Sequence, residues 1–190
     1  MNHKGTIPIE TERLILRRFE LADAEAIFCN WASDAEVTEF LMWPPHKTID
    51  DSLDWCVFNI NAYTDKSYYS WVIVPKNIGE PIGSISVVKM DEKISMMHIG
   101  YCIGKHWWHQ GYTSEALNGV IKFLFEQVGV NRIESRHDPR NPNSGKVMQK
   151  AGLVYEGLHR QADWNNQGIC SAAMYALLAE DYFSKKEKEN

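Results

Sequence analysis

The sequence predicts an α+β (mixed α/β) fold, and three observations carry that prediction. Strand-like segments outnumber helical ones, the central strands are separated by short polar breaks suited to antiparallel hairpins, and a long amphipathic helix between later strands adds a β-α-β portion. The 190 residues are 44% hydrophobic, 12% aromatic and 24% charged, which excludes default disorder and provides for one ordinary core rather than two small ones. One domain over 1–190 is expected, its core running from about 9 to 183 ahead of a charged tail at 184–190.

Thr11 to Phe19 reads as the first strand, with Leu14 and Leu16 alternating against charged or exposed positions. Ala24, Ile27, Phe28 and Trp31 then recur at helical spacing. Trp43-Pro44-Pro45-His46 must be a loop, because each proline turns the residue before it away from helix. A second helix begins at Thr48, where Thr48 and Asp51 stand as in a capping box and Ile49, Leu53, Cys56, Val57 and Ile60 form a stripe. Three strands follow at Tyr68 to Pro75, Ile82 to Met90 and Ser95 to Ile103. Ala116, Leu117, Val120, Ile121, Leu124, Phe125 and Val128 mark a long amphipathic helix that ends near Gly129. Arg132 to Arg136 is another strand, Ser144 to Ala151 a short helix stopped by Gly152, and Leu153 to Leu158 and Ser171 to Leu178 close the fold. The run Lys185 to Glu189 reads as a frayed, solvated terminus.

Charge and cysteine usage narrow the function. Lys and Arg total 20 against 25 for Asp and Glu, a net charge of −5, so a phosphate-backbone footprint on nucleic acid has no support, although a local basic cluster suits a small anion. Cys29, Cys56, Cys102 and Cys170 form no CxxC pair and are too sparse for a disulfide scaffold. The start MNHKGTIPIETERL lacks a signal-peptide stretch and no run of about 18 apolar residues occurs, so a cytoplasmic protein without membrane contact is expected.

Ile99 to Leu117 carries the most information: a strand, a loop with two glycines, and the start of the long helix. A helix N-terminus offers unpaired backbone N–H groups and a partial positive charge, so it can hold a phosphate, and Gly111 removes a side chain where that phosphate would approach. An ordinary strand-turn-helix connection accounts for the spacing equally well. Neither G-x-x-x-x-G-K-[ST] nor G-x-G-x-x-G is present, which disfavours kinase and dinucleotide readings. His106 and His109 lack further ligands at metal spacing, so no metal is expected. Ser144 is not in a G-x-S-x-G hydrolase turn.

Gln110-Gly111-Tyr112-Thr113-Ser114-Glu115-Ala116, preceded by Ile99-Gly100-Tyr101 and Trp107-Trp108, resembles the acetyl-CoA pyrophosphate loop of the GNAT superfamily of N-acetyltransferases. The resemblance is nearest to the RimJ/RimL-like ribosomal-protein branch. It runs from Thr11-Glu12-Arg13-Leu14 through Asn141-Pro142-Asn143-Ser144, Lys150-Ala151-Gly152-Leu153 and Glu156-Gly157 to Tyr175-Ala176-Leu177-Leu178. Trp108 and Thr113 depart from the residues common in the family. The resemblance implies a mostly antiparallel sheet of six or seven strands, splayed between the fourth and fifth, with about four helices. It assigns the backbone of Tyr101, Cys102 and Ile103 to pantetheine, and the amides of Gln110, Gly111, Tyr112, Thr113 and Ser114 to pyrophosphate. Lys105, His106, His109, Lys146 and Lys150 are basic residues placed to assist.

Acetyl transfer needs a neutral amine, a polarised thioester and a proton for the departing thiolate. The resemblance gives Ser144 to the sulfur and Asn141 to a cofactor contact, while a Ser after Asn-Pro-Asn also reads as a helix cap. Asp163 stands where the branch carries its proposed glutamate base, and it reads equally as the opening of a turn through Gly168. His98, at the head of the fourth strand, is the second proton acceptor or else a plain buried histidine. Trp31, Trp43, Trp55, Trp71 and Trp164 read as core or pocket wall. The expected acceptor is a primary amine, on a protein N-terminus or a small molecule, and the branch leaves a homodimer open. The alternative is a non-catalytic acyl-CoA-binding or regulatory module.

Overall fold

Alternating apolar residues in the first half of the chain build antiparallel ribbons, and helices then cover one sheet. The computed structural model describes residues 1–189. Eight strands form one sheet in the order β1-β2-β3-β4-β5-β6-β8-β7, where β1 is Ile9–Glu10, β2 Leu14–Arg17, β3 Ser70–Pro75, β4 Gly83–Asp91, β5 Met96–Ile103, β6 Arg132–His137, β7 Val154–Asn165 and β8 Gly168–Leu178. All neighbours pair antiparallel except β5 and β6. The two-residue β1 raises the expected six or seven strands to eight, so the strand counted fourth from sequence is β5 and the fifth is β6.

The helices are α1 Ala24–Ile27, α2 Ala35–Thr38, α3 Ile49–Ala62, α4 Tyr112–Phe123, α5 Pro142–Lys150 and α6 Ala179–Glu189, against the four expected. The Ala24 to Trp31 periodicity does not give one continuous helix: α1 is a single turn that widens into a π turn over Phe28–Ala32. A similar widening over Leu124–Val128 ends α4 at Gly129, which takes a left-handed conformation. The Thr48–Asp51 capping box opens α3 as expected.

Most of the α3 stripe faces outward. Ile49, Leu53, Val57 and Ile60 are exposed along with Trp55 and Phe58, whereas Ser52, Cys56 and Asn59 are buried. The inward polar groups are satisfied: His46 Nδ1 meets Ser52 Oγ at 2.7 Å, Asn59 donates to the Trp55 carbonyl at 2.8 Å and Tyr68 donates to Asn59 Oδ1 at 2.9 Å. Hydrogen-bonded polar residues thus occupy the face that an apolar stripe ordinarily takes.

The main core lies between the sheet and α4, where Leu14, Leu16, Trp71, Ile85, Met97 and Ile99 meet Leu117, Val120, Ile121 and Leu124. As expected of core or pocket-wall residues, Trp31 and Trp71 are buried and Trp43, Trp55 and Trp164 line a cleft. The run Lys185 to Glu189 is helical rather than frayed, the continuation of α6. The first turns of α6 dock on the end of the α4 segment, with Tyr182 and Lys186 both donating to Glu126 and the Tyr182 ring 5.0 Å from that of Phe125. Among the described residues, no helix is long and apolar enough to cross a membrane.

Candidate active site

Strands β5 and β6 run parallel and pair only at Met96–Arg132, Met97–Ile133 and His98–Glu134. Beyond His98 they part, while β5 stays paired to β4 as far as Ile103 and β6 to β8 as far as His137. The gap opens into a cleft of about 1000 Å³. His98, Tyr101, Ser144 and Asp163 all line it, together with Gly111, Thr113, Ser114, Trp43 and Trp164.

Parting leaves backbone groups of β5 without strand partners, and side chains take up two of them. Ser135 Oγ donates to the Ile99 carbonyl at 2.8 Å, and the Trp108 indole N–H donates to the Ile103 carbonyl at 2.9 Å. Alternate residues of a strand turn their peptide groups to the same side, so the Tyr101 peptide faces the gap between these two caps. Gly104 N–H bonds the Ile82 carbonyl on the opposite side, which places Cys102 with β4. The expected backbone role of Cys102 therefore does not fit: its peptide group belongs to the β4 ladder. Trp108, the departure noted in the sequence, serves as the outer cap.

The loop over 108–111 turns sharply into α4, with His109 at φ 62° and Gly111, the N-cap, at φ 82°. The first intrahelical bond here runs from Glu115 N–H to the Gly111 carbonyl at 3.0 Å, so the amides of Gly111, Tyr112, Thr113 and Ser114 have no partner within the helix. Gly111, Thr113, Ser114 and His109 line the cleft. The Gln110 side chain instead bonds the His106 carbonyl, and Tyr112 is buried under the Arg13 guanidinium, which sits 4.5 Å from its ring centroid. Lys146 and Lys150 on α5 also line the cleft, whereas Lys105 pairs with Glu36.

A bracket behind the loop escaped the sequence reading. Glu115 Oε1 accepts from Thr11 Oγ1 at 2.6 Å and Arg13 N–H at 2.7 Å, Oε2 accepts from Arg13 Nε at 2.6 Å, and Arg13 also donates to the Gln110 carbonyl at 3.1 Å. Burial alone would raise the Glu115 carboxyl, yet the bonds from Thr11 and Arg13 hold it below its usual range. Glu115→Ala should raise KM for acetyl-CoA about ten-fold with kcat nearly unchanged, the equivalent of one charge-assisted bond of roughly 1.5 kcal/mol. Steady-state kinetics at varied acetyl-CoA checks it.

Ser144 does not cap α5. Asn141 is the N-cap, its Oδ1 accepting from Ser144 N–H at 3.4 Å, with Pro142 in the first turn. The Ser144 hydroxyl is free for another partner and donates to the Tyr101 hydroxyl at 3.2 Å, while Tyr101 donates to the Ser144 carbonyl at 2.8 Å. Burial pushes the Tyr101 phenol far above its ordinary value, against the bond from Ser144, so it stays protonated. The His137 ring rests on the first turn of α5, where a Cβ on Gly145 would come within 2.5 Å of its Nε2. A side chain at 145 would displace that ring.

Asp163 is not the start of a turn. It lies in β7, paired with Cys170, and the turn falls at Asn166 and Gln167. Both its oxygens accept from Arg136, at 2.5 and 2.8 Å. His98 is 4% exposed at the point where the strands part. Burial and then the Arg136 cation push its imidazole down to about 4, against the pull of Glu134, so its 3.7 Å contact with Glu134 joins a neutral ring to a carboxylate. Such a group binds fewer protons folded than unfolded, so its contribution to stability is complete above pH 6.5 and lost as pH falls toward 4. The thermal midpoint should fall by several degrees across that window, and His98→Gln should flatten the decline in calorimetry. Among the described residues, no three His, Cys, Asp or Glu side chains converge as metal ligands.

A parted parallel strand pair beside a helix N-terminus is the frame of an acyl-CoA-dependent transferase. Residues 13–154 match the acetyltransferase (GNAT) domain family. An uncharacterized N-acetyltransferase, p20 of Bacillus licheniformis, is 30% identical over 172 residues, covering 90% of this chain and 96% of that one. A GNAT-family acetyltransferase structure from Bacillus anthracis is 25% identical with a TM-score of 0.81 over 92% of this chain and 99% of its own. A RimL ribosomal L7/L12 alpha-N-protein acetyltransferase solved with coenzyme A shares the fold, with a TM-score of 0.80 at 20% identity over 92% and 99% of the two chains. The chain belongs to the GNAT acetyltransferase family, whose acyl donor is acetyl-CoA.

Proposed function

We propose that this protein transfers the acetyl group of acetyl-CoA directly to a primary amine, and that the cleft through the β5–β6 splay is where it does so. One observation carries the reading: unpaired amides at the α4 N-terminus, a gap-facing Tyr101 peptide and the Ser144–Tyr101 hydroxyl pair lie along a single cleft. Bound acetyl-CoA supplies an acyl thioester as the electrophile.

The amides of Gly111, Tyr112, Thr113 and Ser114 hold the diphosphate, with Gln110 adding its own and His109, Lys146 and Asn141 at the rim. The Tyr101 peptide and the Ile103 N–H, on the same side of β5, align the pantetheine arm as a false strand. Ser144 Oγ, backed by the Tyr101 hydroxyl, donates a hydrogen bond toward the sulfur. Asp163 and His98 are the two proton acceptors for the incoming amine, and each has a distinct handicap: Arg136 occupies both Asp163 oxygens, and His98 is a weak base. Asp163→Asn and His98→Gln, compared in kcat against pH, decide which one works. The RimL protein acts on a ribosomal protein's α-amine, which supports a protein N-terminus as acceptor, and a small amine is the other class. Action in the cytoplasm accords with both.

The experiment is to incubate the purified protein with acetyl-CoA and a panel of free-N-terminal peptides, polyamines and aminoglycosides while following thiol release and acetylated product. Release that depends on an amine is expected. Stabilisation by CoA without turnover on any amine overturns catalysis in favour of an acyl-CoA-binding module.

A further inference from the structure

One residue of the β7–β8 turn ties down the loop on the far side of the cleft. Asn166 Nδ2 donates to the Thr38 carbonyl at 2.6 Å and to the Trp43 carbonyl at 3.0 Å, and its backbone N–H donates to the Leu41 carbonyl at 2.9 Å. Thr38 ends α2, a helix of one turn, and its carbonyl also accepts from Leu41 N–H at 2.9 Å, while the Leu41 and Trp43 carbonyls precede Pro44 and Pro45, which have no N–H to offer. The segment over 38–43 therefore takes these bonds from a residue more than 120 positions away.

Three further contacts close a ring. The neighbouring Asn165, buried, donates to Asp138 Oδ2 at 3.0 Å. Asp138 is gripped by Arg140, and the Arg140 guanidinium lies 5.5 Å from the centre of the Phe40 ring, back on the first loop. The turn at 165–167, the loop after β6 and the segment 38–43 thus hold one another. Phe40, Met42, Trp43 and Trp164 line the same cleft as Ser144 and His98.

We propose that Asn166 is a positioning residue that latches the 38–43 segment as a roof over the amine-binding end of the cleft, setting acceptor affinity and keeping bulk water from the acyl group. The inference rests on the reading that the splay holds acetyl-CoA. Excluding water from such a site suppresses wasteful hydrolysis, and holding the wall in place avoids ordering it anew at each binding event.

The test uses the full chain with Asn166→Ala and Asn166→Asp. The second keeps size and the backbone donor but turns an acceptor oxygen toward two carbonyls. In both, hydrogen exchange over 38–46 should rise at least ten-fold, while exchange over 96–103 and 112–123 and its slowing by CoA stay as in wild type. Hydrolysis of acetyl-CoA without amine should rise three-fold or more. With a serine-initiated peptide or spermidine as acceptor, KM for the amine should rise five-fold or more with KM for acetyl-CoA within two-fold. Unchanged exchange over 38–46 overturns the latch. Loosened exchange with wild-type hydrolysis leaves Asn166 a structural role only and overturns the proposal even where no probe amine reacts. If CoA fails to slow exchange in the wild type, the acetyl-CoA reading itself fails, which is a separate result.

Discussion

Gly111→Val should weaken binding of CoA and acetyl-CoA at least a hundred-fold, measured by calorimetry, and leave a folded protein. Gly111 sits at φ 82°, a conformation that costs an L-residue roughly 1–2 kcal/mol and a β-branched one more. Space is not the obstacle, because an added Cβ would first meet Arg13 Nη2 at 3.4 Å, an ordinary contact. The strain is relieved only if the 110–112 peptides rotate, and that rotation turns the amides of the helix entrance away from a common point. Losing two bonds to a charged phosphate, at about 1.5–3 kcal/mol each, gives about 10²- to 10⁴-fold in affinity. Gly111→Ala should fall between wild type and Val, because it meets the same φ with less crowding. Affinity within three-fold of wild type for the valine variant would remove the phosphate-loop assignment.

What the sequence disclosed follows the range of the forces involved. The Thr48–Asp51 box, the stop at Gly129 and the strand-loop-helix around Gly111 are local devices, set by residues a few positions apart. They were legible for that reason. The inner face of α3 was not, because Ser52 and Asn59 become acceptable inside only once His46 and Tyr68 arrive to bond them. The α6 helix was hidden by its charge: Lys186 reads as solvated until Glu126 is seen across from it. In the site, Ser144 and Asp163 were named by resemblance and both line the cleft, but their surroundings were not legible. The Arg136 grip on Asp163 spans 27 positions and the Asn166 bonds well over 100. No periodicity records such pairs. Ser135 is the one missed residue with a trace in the sequence, as a small polar residue among the charged and apolar ones of β6, but its task of capping Ile99 exists only because the strands part.

Ser144→Ala and Tyr101→Phe should each lower kcat roughly ten- to ten-thousand-fold while KM for acetyl-CoA stays within about three-fold, the range expected when a proton donor is removed but the binding surface is kept. Neither change removes a diphosphate contact, since Asn141 rather than Ser144 caps α5 and the Tyr101 peptide survives in phenylalanine. The Ser144 hydroxyl points its proton at the Tyr101 oxygen, and Tyr101 gives its own to the Ser144 carbonyl. With the phenol held protonated by burial, Tyr101 gives up no proton but holds the Ser144 hydroxyl in place; Ser144 turns that hydroxyl to the departing sulfur as a hydrogen-bond donor, and the proton the thiolate finally takes is the one the amine released. The double variant is therefore the decisive measurement. If the hydroxyls act in series, Tyr101→Phe/Ser144→Ala should cost little more than the worse single variant, a coupling of the size seen for contacting catalytic groups. Fully additive losses would mean two independent roles, and wild-type turnover in Ser144→Ala would return this serine to the architecture of α5.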